Sequence, residues 1–128
     1  MPFVTTKQHR DANHSTVVDA VRAHGFEVIE TYRPLDVLIY NRHLDRSGWG
    51  EIKVPGSQAN ITRVQIEFMS STPMQVAFIR TEQEALVFAQ TLVGLTQKQK
   101  NDLAIFLRTA EKKKIYPACV VERVLGWE

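Results

Sequence analysis

The chain has 128 residues, 44% hydrophobic and 23% charged, which is the length and composition of one globular domain with one core. Sixteen Lys and Arg against fourteen Asp and Glu give a formal net charge of +2, so total charge neither announces nor excludes a polyanionic partner. A single cysteine, Cys119, excludes an intrachain disulfide, and no apolar run reaches the roughly 18 residues that span a bilayer.

The opening "MPFVTTKQHRDANHST" lacks the apolar stretch of a signal peptide, so the expectation is a soluble cytoplasmic protein. "DANHSTVVDAVRAHG" reads as a helix, with Asp11 or Ser15 as cap, an apolar face of Val17, Val18, Ala20 and Val21, and Gly25 as its stop. Two strands follow, "FEVIETY" and, after Pro34, "LDVLIYN". The polar turn "RHLDRSG" leads into a third strand, "WGEIKV", which Pro55 and Gly56 stop. "ITRVQIEFMSS" is helical by its apolar spacing, and "MQVAFIR" is a fourth strand. "TEQEALVFAQTLVG" and "LTQKQKNDLAIFLRTAEKKK" are amphipathic helices, the second basic at its end as the helix dipole prefers. "YPACVVERVLGW" reads as a last strand or an irregular tail. The expected fold is an α/β domain, a mixed α+β sheet flanked by helices, with residues 1–128 forming a single unit.

The stretch "GWGEIKVPG" carries the chemistry. On a strand Glu51 and Lys53 point to one face. If "LDVLIYN" pairs with it as a hairpin, Asp36 lies across from Glu51. Two carboxylates meeting there repel unless a cation joins them, and hard oxygen ligands suit Mg²⁺ or Mn²⁺. The carbonyl of Ile52 is a further oxygen ligand, and Lys53 would orient water or neutralise charge on a phosphate. The plainer reading is a solvated face with an ion pair contributing roughly 0–1 kcal/mol.

"LDVLIYN" followed by "GWGEIKV" resembles the Asp…Glu-x-Lys core of the PD-(D/E)xK nuclease superfamily. The opening helix and strand, the Gln65…Phe68 pattern of "ITRVQIEF", and "MQVAFIRTEQEAL" resemble small phage and bacterial nucleases of the VRR-NUC or Holliday-junction-resolvase kind. The resemblance spans about residues 11–92 in order and leaves a C-terminal extension of about 94–128 unmatched. It implies a restriction-endonuclease-like core of helix, three strands, helix and strand. It also implies a metal-dependent endonuclease acting on DNA, duplex or branched, with Asp36, Glu51 and Ile52 as metal ligands, Lys53 catalytic and Gln65 beside it. A homodimer would allow paired cuts. This chain departs from the pattern at "RPLD", where Leu35 separates Pro34 from Asp36, and at Thr16, where the family's first helix carries a glutamate. Loss of that glutamate favours the alternative, a nuclease-fold module that binds DNA or a partner protein without cutting.

Gln65 has a second explanation, because "TRVQ" is a capping box, and "TEQE" and "TQKQ" repeat the pattern. For contact with DNA the basic candidates are Lys7, His9, Arg10, Arg42, Arg46, Arg63 and Lys112–Lys114, with His14 either at the edge of the site or simply on the surface. Salt-sensitive contacts to phosphates would suit an enzyme that reads shape. Trp49 is expected in the core or an interface, and no His or Cys spacing indicates zinc.

Overall fold

The computed structural model describes residues 13–53 and 60–127. The expected cap Asp11, the strand stop at Pro55 and Gly56, and the basic residues Lys7, His9 and Arg10 lie outside them. The elements are α1 (His14–Ala23), β1 (Glu27–Glu30), β2 (Val37–Asn41), β3 (Arg46–Ile52), β4 (Asn60–Thr62), α2 (Arg63–Ser71), β5 (Gln75–Ile79), α3 (Glu82–Thr91), α4 (Gln97–Thr109), β6 (Ile115–Pro117) and α5 (Ala118–Val124). The fold is mixed α+β.

Four strands form one mixed sheet in the order β1-β2-β3-β5. The first three are an antiparallel meander, with Val37 opposite Gly50 and Asn41 opposite Arg46. The chain then crosses over through α2, and β5 runs parallel to β3. Val37, Ile39, Ile52 and Ile79 turn one face of the sheet to Val17, Val18 and Val21 of α1 and to Ala85, Phe88 and Ala89 of α3. The other face is covered by Ile66 and Met69 of α2, Leu103 and Leu107 of α4, and Val121 of α5, packed around Val76 and Phe78. Trp49 meets Phe68 edge-on on this face, as a core residue. Leu103 and Leu107 are likewise core, and Phe106 packs on Tyr116.

Four local expectations change, the first being that the helix expected to run to Lys114 ends at Thr109, so the three lysines are not its basic last turn. Ser15 does not cap α1. Asn13 stands at the cap position, and its side chain bonds elsewhere. The helix expected from Ile61 starts at Arg63 instead, because Thr62 caps it, and Ile61 pairs in a two-stranded ribbon of β4 with β6. The tail is neither wholly strand nor irregular: only Ile115–Pro117 pair, and the next residues form α5. Ala118, Val121 and Leu125, spaced three and four apart, bury together, and that packing outweighs the β-propensity of the Val-Val pair.

Two backbone approaches are too close for a side chain. A Cβ on Gly48 would meet the Phe88 ring, and one on Gly94 would strike the Val76 carbonyl. Phe88 can yield, whereas the Val76 carbonyl belongs to the sheet and already accepts from the Leu95 N–H. Gly94→Ala is therefore expected to destabilise the fold at the upper end of about 1–3 kcal/mol, read from urea unfolding, and Gly48→Ala by less.

Candidate active site

The register that pairs Val37 with Gly50 brings Asp36 opposite Glu51 one step further along. There the ladder hands over to side chains. The Ile52 N–H donates to Asp36 Oδ2 at 2.8 Å, and the Asp36 N–H donates to Glu51 Oε1 at 3.2 Å. The other Glu51 oxygen, Oε2, lies 3.3 Å from Lys53 Nζ and accepts from Gln65 Nε2 at 3.2 Å. Lys53 Nζ also donates to the Asn60 carbonyl at 3.3 Å, tying the end of β3 to the start of β4. The Lys53 N–H bonds Ile79 on the opposite edge of β3.

Glu51 is 1% exposed, and burial, then the charge of Asp36, pushes its carboxyl up to about 8. Lys53 pulls the other way without compensating for burial. Buried charge at this cost is poor value as structural glue, since apolar replacements of buried ion pairs are often as stable. The Glu51–Lys53 pair is thus not the solvated pair that a bare Glu-x-Lys permits.

Gln65 is the expected cap, and it also reaches Glu51. Its Oε1 accepts from the Thr62 N–H while the Thr62 hydroxyl accepts from the Gln65 N–H, which is the capping box. Its Nε2 remains for Glu51. The cap fixes the rotamer that the carboxylate uses.

The basic candidates are less concentrated. Arg42 and Arg46 flank the hairpin at the far end of β2 and β3, about five residues from Asp36 and Glu51, or roughly 17 Å along the strands. Arg42 pairs there with Glu27 at 2.8 Å. His14 is not on the surface. It is 2% exposed on the face of the sheet that α1 covers, with Nε2 2.9 Å from Glu30 Oε1. Arg63 turns toward the C-terminal elements, with Nη1 donating to Tyr116 Oη and Nη2 to the Leu107 carbonyl, and Nε 3.5 Å from Glu67.

Asn13 was missed in the sequence. Its amide donates to the Lys53 and Arg80 carbonyls, which locks the start of α1 behind the ends of the two parallel strands. The signal was a polar residue before a helix, which reads only as a cap. Leu35, the residue interposed before Asp36, is fully buried in the core on the α2 side.

The donor set suits a hard divalent cation in one respect: two carboxylates crowd together, and the second raises the cost of ionising the first. Thr16 is exposed on α1, and among the described residues no three His, Cys, Asp or Glu side chains gather at metal-binding spacing. Among the described residues, a cation there would rest on Asp36, Glu51 and peptide oxygen. Comparisons with protein-family models, with curated proteins and with solved structures give no match to this chain.

Proposed function

We propose that this protein is a metal-dependent endonuclease with a restriction-endonuclease-like core, hydrolysing phosphodiester bonds of duplex or branched DNA. One observation carries the reading: Glu51, buried and held proton-binding near neutral pH by its surroundings, is shared by Lys53 and Gln65 and backed by Asp36. A strongly perturbed carboxyl with specific charged partners marks a functional site more often than a structural one. The element order and the Asp…Glu-x-Lys spacing support the same family.

Bound by Asp36, Glu51 and the Ile52 carbonyl, Mg²⁺ or Mn²⁺ would supply Lewis-acid polarisation of the phosphoryl group and draw the proton off Glu51. The Lys53 ammonium, anchored between Glu51 and the Asn60 carbonyl, donates to the oxygen on which negative charge grows as water attacks phosphorus and the ester P–O bond breaks, the water's proton passing to solvent and the leaving oxygen taking one up from solvent. Gln65, immobilised by its cap, keeps Glu51 from rotating and offers its amide to the attacking water. Two copies would serve cuts on opposite strands, one site to each.

The second reading, a nuclease-fold module that binds DNA or a protein without cutting, is favoured by the presence of only two carboxylates at the site among the described residues. The assay that separates the two uses labelled duplex, flap and four-way-junction DNA. Cleavage is expected with Mg²⁺ or Mn²⁺ and is expected to vanish with a chelator. Binding of all three substrates with no cut under any metal would replace the first reading by the second.

A further inference from the structure

Hydrolysis at Lys53 requires a strand held beside it, and Arg63, the basic residue at the start of α2, points the wrong way to hold one. Its guanidinium instead organises the C-terminal extension. The Tyr116 hydroxyl accepts from Arg63 Nη1 at 3.2 Å and from the Lys113 N–H at 3.2 Å, and donates to the Glu111 carbonyl at 2.6 Å. Its ring is buried and meets Phe106 edge-on. The Arg63 N–H donates to the Lys114 carbonyl at 2.8 Å, where β4 and β6 pair Thr62 with Ile115.

These bonds fix the backbone from Glu111 to Lys114 and leave Lys112, Lys113 and Lys114 exposed. From Arg108 to Lys114 four cations face one carboxylate, Glu111, and the neighbouring Glu67 is drawn to Arg63. The Thr62 N–H bonds Gln65, whose amide bonds Glu51, so Ile115, directly after the three lysines, stands one ladder step and one side chain from the buried carboxylate. That separation is on the order of 10 Å. With one phosphate per about 3.4 Å of axis on each strand, it spans about three phosphates.

Resting on the endonuclease reading, we infer that Lys112, Lys113 and Lys114 form a phosphate-binding strip that grips the nucleic-acid backbone on the α2 side of Glu51 and Lys53. Arg63 and Tyr116 are positioning residues, acting through the loop they fold. Ammonium groups on flexible stems suit phosphates met at varying angles, and the grip is indifferent to sequence.

The test is anisotropy of a labelled random-sequence duplex, titrated in chelator from about 50 to 200 mM salt. The triple variant Lys112→Ala, Lys113→Ala, Lys114→Ala is expected to bind at least about tenfold more weakly and to lower the salt slope by about two to three. The charge-matched variant Arg22→Ala, Lys98→Ala, Arg123→Ala, three exposed cations outside the DNA-contact candidates, is expected to keep the wild-type slope. Tyr116→Phe keeps the ring and the lysines, and is expected to lose about one unit of slope while still melting cooperatively. Equal slopes in wild type and the lysine variant, equal losses in the two triple variants, or no binding by wild type at the lowest salt would each overturn the strip. Lysine-dependent binding by a protein that cuts nothing leaves the strip standing and sinks hydrolysis. Cleavage with a KM untouched by the lysine variant does the reverse.

Discussion

Glu51→Gln is expected to abolish cleavage and, in the same molecule, to raise the melting temperature of the metal-free protein. The carboxyl is held up to about 8 by burial and by Asp36, against an ordinary value of 4.5. Between those two values the folded state keeps a proton that the unfolded chain releases. Stability therefore falls as pH rises through that window, by roughly 1 kcal/mol per pH unit. An amide of the same shape does not ionise, so the variant escapes this loss and its advantage widens from pH 6 to pH 8.5. The expected gain at the upper end is on the order of 5 °C or more, measured by thermal melting in chelator. Loss of activity should reach at least about a thousandfold, since the residue both holds Lys53 and offers charge to a cation. A variant less stable than wild type at pH 8.5 would mean that Glu51 sits there as a structural anion, against the assignment of the site.

Lys53→Met carries the second large effect. Cleavage is expected to drop by about 10² to 10³ or more at saturating DNA, the usual consequence of removing one donor from a developing oxyanion. DNA affinity in chelator should change little, because the flanking phosphates are held elsewhere. The stability cost should depend on pH, and its direction follows from Glu51. With the ammonium gone, the carboxyl loses its one attractive charge and holds its proton to still higher pH. At pH 6 Glu51 is protonated in either protein and the cost is small. At pH 8.5 the wild type keeps an ion pair that the variant lacks, and a carboxyl titrating at about 8 limits the difference to about 1 kcal/mol, well below the roughly 3–5 kcal/mol of a fully buried broken pair, because protonation remains an escape. Single-turnover cleavage at several pH values, beside melting curves at the same pH values, checks both halves.

How much of this was legible before folding depends on the range of the signals. The facing of Asp36 and Glu51 was readable because alternation, Pro34 and a polar turn define one hairpin, and a hairpin of known register carries two side chains with it. Gln65 was readable as a cap, since Thr-x-x-Gln is a four-residue rule. Its reach to Glu51 was not, because that depends on how α2 crosses the sheet. The burial of His14 and the inward bonds of Arg63 were unreadable for a shared reason: a charged side chain near a site in sequence is read as facing solvent unless its partner is known. Those partners, Glu30 for His14 and Tyr116 and Leu107 for Arg63, lie 16, 53 and 44 residues away. The β4–β6 ribbon pairs residues more than fifty apart through strands of three residues, too short for any periodicity. The helical C-terminus was hidden by two valines whose preference tertiary burial overrode.

The site and its surroundings also differ in what can move. Strand β3 is interior to the sheet, hydrogen-bonded to β2 on one edge and β5 on the other, and the Ile52 and Lys53 amides close it on both sides. Breathing at Glu51 and Lys53 must therefore break both ladders at once, an event close to global unfolding. The ribbon that carries Ile115 has a partner strand of three residues, but Ile61 and Tyr116 root both of its strands in the core. The backbone is therefore held on both sides of Gln65, and what can adapt beside it is the exposed lysine side chains. A bent or branched duplex could be met by those side chains alone without detuning the spacing of Glu51 and Lys53.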